Sequence, residues 1–206
     1  VAEHEHGRLM PETHTTVRSE DWDSRDLSGE SHSQVAFVDV DMTEATGQGA
    51  AFSGCTFRNV RFNASVHSDA AFVNCAFIRC AFFDATFTGC KFVGSVFGDC
   101  TFNLLKVAGG DWSFVGLSGA DLRGASFAEV RMREADLAGA RCQGATFRQV
   151  DFAGASFRGA DLSRCDLRGS ELSALDPLTV AVKGAVIDLQ QAAMIATALG
   201  LDVRSI

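Results

Sequence analysis

Hydrophobic residues in this chain recur neither at three and four residues, as on a helical face, nor at two, as on a half-buried strand, but at five. In the stretch NCAFIRCAFFDATFTGCKFVGSVFGDCTF the ring positions are Phe77, Phe82, Phe87, Phe92, Phe97 and Phe102. Counting in fives from Trp22 to Leu172, 28 of the 31 centres are apolar; His32, Gly47 and His67 are the exceptions. The residue two before each centre is small. From Val35 to Ser170, 26 of these 28 sites hold Ala, Val, Cys or Ser, and only Leu105 and Gly110 depart. Residues two apart in extended chain point to the same side, so the small residue and the large centre both face inward. The two remaining places are rich in Gly, Asn, Asp and Ser, which make turns. The predicted element is therefore a short extended piece followed by a corner. A chain that turns always to the same side coils around a column of rings, each coil hydrogen-bonded to the next.

The pattern weakens at both ends. Glu20, Arg25 and Glu30 occupy small-residue sites, which predicts a looser first coil acting as a cap, and residues 1–19 read as a polar, mobile tail or an irregular arm. After Leu172 the chain reads SALDPLTVAVKGAVIDLQQAAMIATALGLDVRSI. Asp176 before Pro177 predicts a short helix with a first-turn proline. Asp188 with Gln191 three later predicts a capping box for a second helix that stops at Gly200. Between Leu189 and Leu199 only Gln190, Gln191 and Thr197 are polar. A helix so apolar around its circumference calls for a partner, and a second copy related by a two-fold axis is the simplest one. The expected organisation is a tail at 1–19, a repeat unit at 20–174 and a helical cap and dimerisation segment at 175–206. The expected dimer surface comprises Ile187, Leu189, Ala192, Ile195, Ala196, Leu199, Leu201 and Val203.

Charge narrows the partners. A formal net charge of −8 disfavours direct binding to nucleic acid or to an anionic membrane and favours a basic protein. No run approaches the apolar length of a membrane span, and the polar start carries no signal core, so the expected location is cytoplasmic. Candidate chemistry is sparse. Cys55, Cys75, Cys80, Cys90, Cys100 and Cys165 fall on small inward sites, where packing explains them better than ligation. Pairs such as Cys55 with Cys75 and Cys80 with Cys100 stack one coil apart, within disulfide reach, and a cytosolic setting keeps them reduced. His4, His6 and His14 lack a nearby Cys pair, and His32 and His67 sit on the ring column. No nucleophile elbow, phosphate loop or zinc signature occurs. The expectation is no enzyme, no catalytic residue, no metal and no cofactor.

Segments such as ADLRG (120–124), ADLAG (135–139), ATFRQ (145–149) and ADLSR (160–164) resemble the A(D/N)LXX unit of pentapeptide-repeat proteins. The ending GAVIDLQQAAMIATALGLDV, the SVHSDAAFVNC segment and the GSVF at 94–97 resemble in particular the MfpA/Qnr type. That resemblance implies a right-handed quadrilateral β-helix, four pentapeptides per coil, with a C-terminal helical dimerisation cap. The 31 units then make just under eight coils, a rod of roughly 37 Å at strand spacing. It further implies a head-to-head homodimer that imitates B-form DNA, occupies the DNA saddle of DNA gyrase, modulates supercoiling and confers resistance to fluoroquinolones or natural gyrase poisons. Sorting residues by twenties tests the implied acidity. The face centred on Trp22, Met42 and Phe62 carries Glu20, Asp21, Asp23, Asp41, Glu44, Asp84, Asp121 and Asp161 against Arg61, Arg123, Arg141 and Arg164. The face centred on His32 carries five acids against three bases, and the other two balance. Asp21, Asp23, Asp41, Glu44, Asp84, Asp121 and Asp161 are thus the expected gyrase contacts. The alternative is a repeat scaffold for another protein, its charge serving solubility.

Overall fold

A computed structural model describes residues 4–5 and 8–204. Every element between Thr15 and Val186 follows the five-residue grammar. Residues twenty apart pair in parallel: Phe57 lies opposite Phe77, Phe77 opposite Phe97, Phe52 opposite Phe72 and Phe127 opposite Phe147. Bonds alternate along each rung, so that the Phe62 N–H donates to the Ala81 carbonyl one coil on (2.7 Å), while the Ala81 N–H donates to the Val60 carbonyl one coil back (3.0 Å). One face is a five-strand ladder from Thr15–Arg18 to Val96–Gly98, and the next is a six-strand ladder from Thr46–Gln48 to Thr146–Arg148. A third begins as the three strands Ser31–Ser33, Ala51–Ser53 and Ala71–Val73. On the fourth, single bridges link Asp21, Asp41, Arg61, Ala81 and Thr101 in succession. The result is a four-sided parallel β-helix.

The centres form its axis. Phe37, Phe57, Phe77, Phe82, Phe87, Phe92 and Phe102 are all buried, and Phe97 is 8% exposed. Rings one coil apart lie face to face, with centroids 4.7 Å apart for Phe57 and Phe77 and 4.8 Å for Phe52 and Phe72, while rings around one coil meet edge to face. The three polar or empty centres have physical reasons. His32 and His67 act as rings, stacked on Phe52 and Phe87 at 5.1 and 5.2 Å. Gly47 makes room for His67, whose Nδ1 would stand 2.9 Å from any Cβ placed there. The two exceptions among the small sites also resolve. Gly110, at φ +89°, could carry no side chain, because a Cβ would fall 2.0 Å from the Cys90 carbonyl. Buried Leu105 is offset by the slight Val107 at the following centre, so the layer keeps its volume.

At the amino end the structure corrects the expectation of a tail through residue 19. Thr15–Arg18 is a strand paired with Val35–Val38, and Val17 packs against the core as one more centre. Met10, Pro11 and Glu12 lie against the corner column of Gln34, Gly54, Asn74 and Gly94. Before them His4–Glu5 and Arg8–Leu9 pair as an antiparallel hairpin. Residues 1–3 and 6–7, including His6, lie outside those described. The first coil is held by polar contacts: Glu20 accepts from the Trp22 indole (2.7 Å), the Arg25 guanidinium sits 4.2 Å over the Trp22 ring, and Arg25 pairs with Glu30 (2.9 Å).

At the carboxyl end no helix forms at Asp176–Pro177. The Asp176 side chain accepts the Leu178 N–H (2.9 Å) and its carbonyl the Thr179 N–H (3.1 Å), making one turn. A helix here is stopped after its nucleus because Val180, Val182, Ala185 and Ile187 regain the inward register and pack on the core. The ladder accordingly continues past 174, with Ala181 bridged to Asp161 and Val186 to Asp166. The expected second helix spans Leu189–Ala198 with its full capping box, and Gly200, at φ +86°, follows its end.

Candidate protein-binding face and C-terminal helix

The acidic face is made of turn residues first. Asp21, Asp41, Asp121 and Asp161 each stand one before a centre, and each Oδ1 accepts the backbone N–H two residues on, at 3.1, 3.1, 3.3 and 2.9 Å. This explains why the chain repeats Asp there: a short carboxylate closes the corner. All four lie on one outward column, yet that column also holds Arg61 and Arg141, and in its middle Ala81 and Thr101. The bases cancel part of the field. Arg61 pairs with Asp41; Asp121 takes both Arg123 (2.6 Å) and Arg141 (3.1 Å); Lys106 reaches Asp84 (2.6 Å). The Arg61 contact holds the Asp41 carboxyl down to about 2, and the Arg123 contact lowers that of Asp121. Asp161 is lowered by the Ser163 turn bonds and accepts from Gln143 (2.6 Å). Uncancelled charge gathers instead at the amino end, at Asp21, Asp23 and Glu44. The face therefore holds two carboxylate groups separated by a neutral stretch, not a continuous ladder.

The C-terminal helix docks through a polar residue. Gln191 is its buried side chain; the amide donates to the carbonyls of Leu167 (2.6 Å) and Ser170 (2.7 Å), and its oxygen accepts the Asp188 N–H (2.9 Å). Of the expected dimer residues, Ile187 packs on the core, Ile195 and Ala196 are half-buried, and Ala192 is exposed. Leu189, Leu199, Leu201 and Val203 are 90%, 50%, 61% and 50% exposed. These four are exposed apolar side chains of the C-terminal segment.

Among the described residues neither thiols nor imidazoles come together as a cluster. All seven cysteines are free, and six are buried. The six on small sites point their Sγ atoms at carbonyls one coil back, as Cys75 does at Phe52 (3.4 Å) and Cys80 at Phe57 (3.3 Å). Among the described residues no three of His, Cys, Asp and Glu come together as metal ligands. No described helix is long and apolar enough to cross a membrane.

Two features had a signal in the sequence that pattern reading passed over. Fifteen of the seventeen phenylalanines are on the five-residue grid, and the two that are not, Phe83 and Phe114, are 51% and 58% exposed. A cleft of about 750 Å³ opens beside the acidic face, between Met10, Val96, Phe97 and Asp121; its wall at Gly98 and Gly116 is visible only as two missing side chains.

Comparison with known proteins agrees with this architecture. Residues 117–152 and 147–174 match the Pentapeptide family, pentapeptide repeats, in eight copies. The fold is a pentapeptide-repeat β-helix. Among solved structures, HetL, a pentapeptide-repeat protein involved in heterocyst differentiation regulation in the cyanobacterium Nostoc sp. strain PCC 7120, superposes with a TM-score of 0.61 at 20% identity over 87% of each chain. QnrB1, a plasmid-mediated fluoroquinolone resistance protein, gives 0.57 at 21% identity over 91% of this chain and 98% of its own. No curated protein sequence matches. At these identities the likeness is one of fold, and the pentapeptide-repeat rod is what the proteins share.

Proposed function

We propose that this pentapeptide-repeat rod is a non-catalytic ligand of DNA gyrase, a type II topoisomerase, which it binds in place of DNA. It thereby modulates supercoiling and protects against fluoroquinolones or natural gyrase poisons. The observation that carries the reading is a regular rod with eight carboxylates against four arginines and Lys183 on one face. Its shape also resembles that of QnrB1, whose described role is fluoroquinolone resistance. Duplex DNA places one charge per ~1.7 Å of axis, far denser than this face, so the mimicry is of shape and overall field. Two copies joined through Leu189, Leu199, Leu201 and Val203 extend the rod to roughly 80 Å at strand spacing.

The ion pairs of Asp41 and Asp121 favour a second reading, a scaffold for another basic protein. Supercoiling by purified gyrase separates the two. Wild type inhibits under the first reading, more strongly at low salt, because screened charges steer less. Replacing Asp21, Asp41, Asp121 and Asp161 together by Asn keeps the turns, since the amide oxygen still accepts the N–H, and weakens inhibition. A wild type without effect at any salt ends the gyrase reading, and a fourfold variant as potent as wild type ends the role of this face.

A further inference from the structure

One border of the acidic face, where Asp23, Glu44, Arg123 and Arg164 stand, carries an order of side chains that the C-terminal helix does not use. It follows the two turn positions after the centres Trp22, Met42, Phe62 and onward, where successive coils are joined by Ser24 N–H to Thr43 (2.8 Å), Ala64 N–H to Phe83 (2.7 Å) and Gly144 N–H to Ser163 (2.9 Å). In its middle the Asp84 N–H donates to the Asn103 carbonyl (3.0 Å), setting the Phe83 turn directly beside the Leu104 turn. Both residues are 51% exposed, and together they form one apolar knob. Folding does not ask for it. Leu104 sits at φ +60°, in the left-handed region, where the described rod otherwise places glycine, fifteen polar or charged residues, Ala64 and Phe114. A branched apolar side chain pays conformational strain there and, half exposed, recovers only part of it by burial.

Charge along the same edge is polarised. Below the knob stand Asp23 and Glu44, and above it Arg164, all exposed; Arg123 is taken by Asp121, and Asp84, beside Phe83, by Lys106. Asp23 lies three coils of twenty residues below Phe83 (83 − 23 = 60), and Arg164 three above Leu104 (164 − 104 = 60). An edge ordered acidic, apolar, basic is complementary to itself turned end for end.

We infer that this edge is an isologous contact with a second copy of this chain, packed antiparallel about a two-fold axis through the knob, with Phe83 against the partner's Leu104 and Asp23 against the partner's Arg164. The two-fold makes each contact twice, so two ion pairs flank a fourfold apolar centre. It is separate from the end-to-end contact of the C-terminal helices.

Sedimentation of the full-length protein over a range of concentrations tests this. Wild type associates in a step that high salt weakens. Asp23→Lys and Arg164→Glu each place like charges across the axis twice and lower that association constant about tenfold. Mixed one to one they restore it, because the mixed dimer keeps one Asp23–Arg164 pair as in wild type and makes the other with its signs exchanged. Phe83→Ser with Leu104→Asn abolishes the step while the melting temperature is held or raised, since Asn tolerates the left-handed turn. The inference is overturned if wild type shows no salt-sensitive association, if the charge reversals associate as wild type does, or if their mixture recovers nothing.

Discussion

His67 shows how a residue can obey the fold and still oppose it. Its ring completes the stack on Phe87, but both ring nitrogens are buried without a hydrogen-bond partner, and burial pushes its pKa down from 6.5 to about 4. Because the unfolded chain takes up a proton that the folded one refuses, protonation adds no cost above about pH 6.5, where only the unpaired nitrogens count against the fold, and stability falls further as pH drops from there toward 4. The full loss is about 3 kcal/mol. Urea denaturation of wild type and His67→Phe at pH 7 and pH 4.5 checks it: the variant is the more stable at both, by a wider margin in acid. Phe87→Ala opens a cavity between coils and costs about 3–5 kcal/mol, against little for exposed Arg158→Ala. Equal midpoints for the last two would contradict the ring column. The column was legible in the sequence because bulk at every fifth place has one geometric solution. The deficit at His67 was not, since a histidine and a phenylalanine fill the same slot and only the structure shows what surrounds the nitrogens.

The elements divide by whether neighbours are local. Coil, corner and capping box follow from residues a few places apart, so the spacing of Asp188 and Gln191 announces the helix start. The failed helix at Pro177 depends on Val180 and Val182 finding the core, a long-range gain that outweighs a local cap and proline. The same holds at the amino end, where Thr15–Arg18 carries one apolar residue and becomes a strand because an open coil edge awaits it. What fixes the C-terminal helix to the rod is also non-local. Gln191→Ala removes two amide bonds; the Leu167 carbonyl keeps the Ser170 N–H (3.1 Å) but the Ser170 carbonyl loses its donor, at a cost of about 1–3 kcal/mol. Hydrogen exchange in Leu189–Ala198 should rise while exchange in the ring column is unchanged. Exchange equal to wild type would show that the helix is held otherwise.

At the scale of the molecule, the exposed Leu189, Leu199, Leu201 and Val203 predict end-to-end pairing. Leu189→Asp with Leu199→Asp lies outside the docked side and should give monomeric ends on an intact β-helix, as read by sedimentation and circular dichroism. A wild type without such pairing would remove the long rod from the functional reading. The acidity of one face was legible from the composition by twenties. Its interruption by Arg61, Arg123 and Arg141 was partly so, but which carboxylates they neutralise required side-chain geometry.

The rungs that join residues twenty apart have a further consequence, for synthesis. Each coil bonds only to the coil before and the coil after, so a coil needs nothing from the distant carboxyl end in order to form. The chain can therefore be wound as it emerges from the ribosome, with the strand at Thr15–Arg18 and the coil of Trp22 as the first template and each new ring closing on the last. During that time the growing end is an open β edge, able to accept a strand from a neighbouring nascent chain. The helix at Leu189–Ala198, made after the coils, lays the Gln191 amide on the Leu167 and Ser170 carbonyls and so covers that part of the edge.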